Sequence, residues 1–144
     1  MAHTNLGPVF IRSRRGRGAN LGGRCTVSAG RDLYTISTGK TRWLTLDPSN
    51  QDQAWVYGDV VAWTDLRNGY EDSYGRRYDS DIYLYDIKTN RVIQVTDMEG
   101  VDYAPRLYGT TLVWYHNANG AMYWYDDCYM MDISRLIGRS ENPG

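Results

Sequence analysis

The stretch Gly58–Thr96, GDVVAWTDLRNGYEDSYGRRYDSDIYLYDIKTNRVIQVT, decides how the rest of the chain reads. Three segments in it, Val60–Thr64, Ile82–Ile87 and Arg91–Val95, are rich in β-branched and aromatic residues and end in turn formers, the pattern of short strands. Moving 51 residues back sets Gly7-Pro8-Val9-Phe10-Ile11 beneath Gly58-Asp59-Val60-Val61-Ala62, and Thr38–Thr45 beneath Thr89–Thr96. Moving 51 residues forward finds Gly109-Thr110-Thr111-Leu112-Val113-Trp114. The chain therefore reads as a single repeat domain with approximate units 1–51, 52–102 and 103–144.

Each unit is predicted to supply one short strand and then three longer ones. In the second unit the short strand is Ala54–Tyr57; in the third it is Tyr103–Tyr108, where Pro105 marks a position that needs no backbone donor. The first unit offers Val9–Ile11, Leu33–Ile36 and Thr41–Leu46, with a poorly marked edge strand in residues 1–6. In the third unit two segments compete for the place of Tyr83–Ile87. Tyr129-Met130-Met131-Asp132-Ile133 is preferred over Tyr123-Trp124-Tyr125-Asp126, because it leaves Arg135-Leu136-Ile137 to begin a last strand before a frayed tail. No window sustains a 3.6-residue period with caps, which argues against a helical fold.

Composition sets further bounds. With 144 residues the chain can build one real core, and thirteen Tyr and five Trp against one Phe suit sheets whose side chains have one apolar and one wet end. The net charge of −1 hides an asymmetry: residues 1–31 hold six arginines and no acid, which leaves −7 for the rest. Taken alone, Arg12–Gly18 looks like a basic glycine-rich arm for RNA. The repeat offset instead aligns it with Trp63–Gly69, a strand end and loop start, so nucleic acid is not the expected partner. Cys25 and Cys128 occupy unrelated repeat positions and read as free thiols, with pairing left open. No apolar run approaches a membrane span and the start lacks a signal-peptide core, which leaves a cytoplasmic protein or one whose leader has been removed.

GDVVAWTDLRNG followed by SDIYLYDIKTNRVIQVTD resembles the blades of TolB-like β-propellers, most closely over Ala54–Thr96, well over Tyr103–Trp114 and weakly in the first unit, where Arg12-Ser13 replace the usual Trp-Thr. The resemblance implies an all-β fold of about three four-stranded propeller blades, with the short strand nearest the axis. Closed propellers have four to eight blades. Three blades per chain therefore imply a homodimer closing a six-bladed ring, or a fragment or open stack.

In such a blade the second-to-third-strand loop and the loop between units emerge on one side, making that face the expected ligand surface. In the second unit the candidates are Tyr70, Asp72, Tyr74, Arg76, Arg77, Tyr78 and Asp79; in the third they are Tyr123, Trp124 and Tyr125. The aromatics suit stacking on sugar rings or anchoring a peptide, and the charged groups suit directional hydrogen bonds. Asp79-Ser80-Asp81 and Asp126-Asp127 carry the oxygen ligands Ca2+ would need but lack EF-hand spacing, so no cofactor is expected. Asp65, Asp81 and Asp86 read as acceptors of backbone hydrogen bonds in turns. His116 stands at the position of Asp65 and has no predicted nucleophile beside it. The expected function is non-catalytic recognition of a glycan or protein. The alternative is a small carbohydrate-active enzyme with two facing carboxylates at the central channel or a subunit interface.

Overall fold

The computed structural model describes residues 9–13, 31–35, 39–119 and 126–139. The edge strand sought in residues 1–6, the glycine-rich loop around Cys25 and the run Tyr123-Trp124-Tyr125 lie outside the described residues. Within them the protein is all-β. The first sheet joins β1 (Val9–Ser13), β2 (Arg31–Thr35) and β3 (Lys40–Thr45) in that order. Then come β4 (Gln51–Tyr57), β5 (Val60–Asp65), a small hairpin of β6 (Tyr70–Glu71) and β7 (Arg77–Tyr78), β8 (Asp81–Asp86) and β9 (Arg91–Gln94). Of these, β4-β5-β8-β9 form the middle sheet. The third sheet is β10 (Val101–Tyr108), β11 (Thr111–Asn117) and β12 (Asp127–Asp132), and all three sheets are antiparallel. No helix among the described residues is long and apolar enough to cross a membrane.

The sequence repeat returns as a repeat of strand register. Val9 faces Thr35 in the first sheet, and 51 residues on Val60 faces Asp86 in the middle one; Tyr34 faces Thr41 as Tyr85 faces Val92. Between the second and third sheets the same offset carries even the irregularities. The ladder of β4 slips between Asp52 and Trp55 and that of β10 between Tyr103 and Arg106. Inside these bulges Gln53 and Ala104 take left-handed φ of 51° and 52°. That conformation is unfavourable for residues with a Cβ, and it is held here by a bond between the bulges, since Ala104 N–H donates to Gln53 Oε1 at 2.9 Å.

Leu112 faces Met131 as Val61 faces Tyr85, which puts Tyr129 in the register place of Tyr83. The last strand expected at Arg135-Leu136-Ile137 does not form. The N–H groups of Leu136 and Ile137 both donate to Ile133 O, curling the chain into a turn. Burial is the physical reason: Ile137 is 4% exposed in the core, and Arg139 reaches back to pair with Asp59 and Asp86 of the middle unit.

The two apolar clusters lie on opposite faces of the middle sheet. Strand side chains alternate between faces, so Val60, Ala62, Ile82 and Leu84 meet Leu107, Leu112, Trp114 and Ile133 of the third unit. Val61, Trp63, Tyr83 and Tyr85 form the other cluster, with Leu33 and Leu44 of the first unit. Asp65 and Asp86 close the expected turns, accepting from the N–H groups of Arg67 and Lys88 at 2.9 and 3.0 Å, and Asp132 does the same for Ser134 at 2.9 Å. Asp81 departs from that expectation, because its carboxylate points into the sheet edge and accepts from side chains. Truncating Leu84 to Ala leaves a cavity between two closely packed sheets. Leu84→Ala is expected to lower stability by about 2–5 kcal/mol in urea titrations followed by circular dichroism.

Candidate functional site

The connection between β5 and β8 is built around a sharp close approach. A Cβ on Gly69 would sit 2.0 Å from Tyr78 O, so only glycine lets the insert fold down against the strand end. Beyond it, β6 and β7 pair Tyr70 with Tyr78, whose rings stack with centroids 4.7 Å apart. At the tip Asp72 accepts from the N–H groups of Tyr74 and Arg76 and from Arg76 Nε. Arg77 grips Asp52 through both terminal nitrogens and Glu71 through Nε, tying the insert to the start of β4.

These bonds sort the residues named from the sequence. Asp72, Arg76 and Arg77 have their charged groups engaged in folding the insert. Tyr78 is half-buried in the stack, while Tyr70 and Tyr74 remain 61% and 82% exposed. Arg76 lies over the Tyr74 ring at 5.2 Å. Tyr78 and Asp79 line a cleft of about 310 Å³ together with Glu99, Gly100, Ala118 and Asn119. Three chain segments meet there: the end of the insert, the loop between the second and third units, and the turn after β11. Of the cleft residues, Glu99, Gly100, Ala118 and Asn119 were not among the sequence candidates; their signal was membership of loops on the same face. Gly100 has φ of +122°, and a Cβ on it would meet Asn117 O at 2.6 Å and His116 Cε1 at 3.1 Å.

Behind Gly100 lies a polar cluster that differs between units in an informative way. In the middle unit Trp63 Nε1 donates to Asp65 at 2.8 Å, and Arg67 binds the same carboxylate with two nitrogens. The register partner of Asp65 is Gln51. In the third unit the acid has crossed to the other strand: Asp102 faces His116, and Trp114 Nε1 donates to Asp102 Oδ1 at 3.0 Å. His116 Nδ1 lies 2.8 Å from the same oxygen. The pair is buried, and Asp102 also exchanges backbone and side-chain hydrogen bonds with Ser80. The second and third units thus each keep one carboxylate for the tryptophan, supplied from either strand.

Among the described residues, Cys128 is not placed to act as a nucleophile beside His116. Cys128 pairs with Tyr115, and His116 with Asp127, so alternation puts the thiol and the imidazole on opposite faces of the sheet. Among the described residues no group of three or more His, Cys, Asp or Glu is placed to hold a metal ion. Asp126, one of the oxygen donors considered for Ca2+, instead accepts from Tyr103 Oη at 2.6 Å and Asn117 Nδ2 at 3.0 Å.

Asp81 is 2% exposed and accepts from Asn68 Nδ2 at 2.8 Å and Gln94 Nε2 at 3.2 Å. Burial pushes its pKa up to about 6, against the pull of the Asn68 hydrogen bond; the nearby negative charges of Asp79, Asp102 and Asp97 push the same way. Compared with known protein-family models and with curated proteins, the chain matches none. The site has to be read from its own chemistry.

Two outcomes test this description. A carboxyl whose folded pKa lies above its unfolded value binds more protons in the folded state, so its penalty is present above pH 6 and relieved as the pH falls toward 4. The wild-type urea midpoint is expected to rise over that interval by more than that of Asp81→Asn, which lacks the titrating group. Separately, His116→Asp sets two buried carboxylates face to face and is expected to cost about 3 kcal/mol. Adding Asp102→Gln reproduces the acid placement of the middle unit and is expected to recover most of that loss, giving a large coupling in a double-mutant cycle.

Proposed function

We propose that the protein is a non-catalytic recognition module that binds a glycan on its loop-bearing face, in and beside the cleft between the second and third units. The observation that carries this reading is the junction of two chemistries. Exposed Tyr70 and Tyr74 stand on a braced hairpin whose end opens into a cleft carrying Asp79, Glu99 and Asn119. Aromatic faces take the apolar side of a sugar ring, and carboxylates and amides take its hydroxyls. The hairpin is preorganised by the Arg77–Asp52 and Asp72–Arg76 contacts, so little conformational entropy is lost on binding.

On the same reading the three sheets are blades of a TolB-like β-propeller, filling half of a six-bladed ring. Support comes from the register offset, the shared bulges and the contact between the first strands of the second and third units, where Tyr57 meets Tyr108 and Trp55 meets Arg106. The enzymatic alternative is less well supported. Among the described residues the one acid with a strongly raised pKa, Asp81, is enclosed by Asn68 and Gln94 and is not among the residues lining the cleft.

A glycan array probed with the purified chain, followed by calorimetry on the hits, tests the proposal. Tyr70→Ala and Glu99→Gln are expected to weaken binding about tenfold each, the scale of losing one aromatic contact or one charged hydrogen bond. Hits bound equally well by both variants, or binding confined to peptides, would reject the glycan reading.

A further inference from the structure

The outer face of the third sheet presents the same surface that the middle sheet buries. Within the chain, the forward face of one unit packs on the rear face of the next: Val60, Ala62, Ile82 and Leu84 lie under Leu112, Trp114 and Ile133. Carrying the register forward, Ala62 corresponds to Val113, Ile82 to Cys128 and Leu84 to Met130. Val113 is half-buried there, and the other two positions are uncovered. Met130 is 74% exposed, and Cys128 and Tyr115 are exposed beside it. A contiguous strip of this kind on a sheet face marks a contact surface.

We infer that this face is covered by the first unit of a second copy of the chain, in a head-to-tail contact that closes after two chains. The partner is argued from the continuity of an interface the chain already makes twice, between the first and middle and between the middle and third sheets. The first unit repeats the middle unit's strand register, and it places Phe10, Arg12, Asp32 and Tyr34 where Val61, Trp63, Tyr83 and Tyr85 stand. A heterologous contact of this type closes a ring when its rotation allows and otherwise grows into filaments. Closure by two chains rests on the reading of each sheet as one blade of a six-bladed ring, whereas the exposed face does not depend on any ligand.

Light scattering on the full chain over roughly a hundredfold range of concentration tests this. The expected result is a species of twice the 16.5 kDa chain mass. Met130→Glu, and independently Tyr115→Glu, should weaken association by about a hundredfold or more by burying a charge in the contact, with the circular dichroism spectrum unchanged. In a Cys25→Ser background, Cys128 should be shielded from maleimide in the dimer and react freely in Met130→Glu. A monomer at every concentration overturns the proposal, as does a dimer indifferent to both substitutions. A ladder of larger species overturns the closure, and a disulfide joining Cys128 to Cys128 overturns the head-to-tail geometry. Glycan titration of the monomeric Met130→Glu variant keeps failure of this contact distinct from failure of the recognition reading.

Discussion

Burial of the middle sheet on both faces is the constraint on which the rest of the structure depends. Every side chain of β5 and β8 is buried, including the acids at their ends. A strand in that position has no face left for water, so its polar groups must be satisfied within the sheet and its apolar groups must meet neighbours on both sides. The first and third sheets supply those neighbours. Their contact residues, Leu33 and Leu44 on one side and Leu112, Trp114 and Ile133 on the other, are each as fully buried as the strands they cover.

The polar chemistry follows from the same constraint. A tryptophan in each seam buries its ring and must still place its indole N–H, which the middle unit does with Asp65 and the third with Asp102. Once that acid is buried it requires a counterpart, Arg67 in one unit and His116 in the other. Asp81 accepts from the neutral side chains of Asn68, Gln94 and Thr96 and carries the cost of burial as a raised pKa. The loop-bearing face is organised by charges at the surface instead. Arg77 joins the insert to Asp52 and Glu71, and Asp72 folds the tip, leaving the tyrosines free to face solvent.

Recognition surfaces need side chains that are exposed yet do not move. The insert is braced at its base by Arg77 with Asp52 and Glu71 and at its tip by Asp72 with Arg76, while Tyr70 and Tyr74 stay exposed. The cleft beside it exists because two units approach closely at Gly100, where a side chain would collide with Asn117.

The sequence by itself determined the all-β class, the period of 51 residues and the pairing of strands within a unit, because alternation and turn chemistry are local and repeat visibly in GDVVAWTD and DIYLYD. For the third strand of the last unit it left two competing segments, and the pairing of Trp114 with Tyr129 selects Tyr129–Ile133. Only the tertiary structure decided which polar residues are spent on folding. Arg77 and Asp72 look like ligand contacts in one dimension and are braces in three: Arg77 reaches back to Asp52 on β4, and Asp72 folds the tip onto Tyr74 and Arg76. It also decided that Arg135–Ile137 turns inward, since the burial of Ile137 depends on a neighbouring sheet that no local pattern records. The cleft was illegible for the same reason: Asp79, Glu99 and Asn119 belong to three separated segments, and what joins them is the packing of one unit against the next.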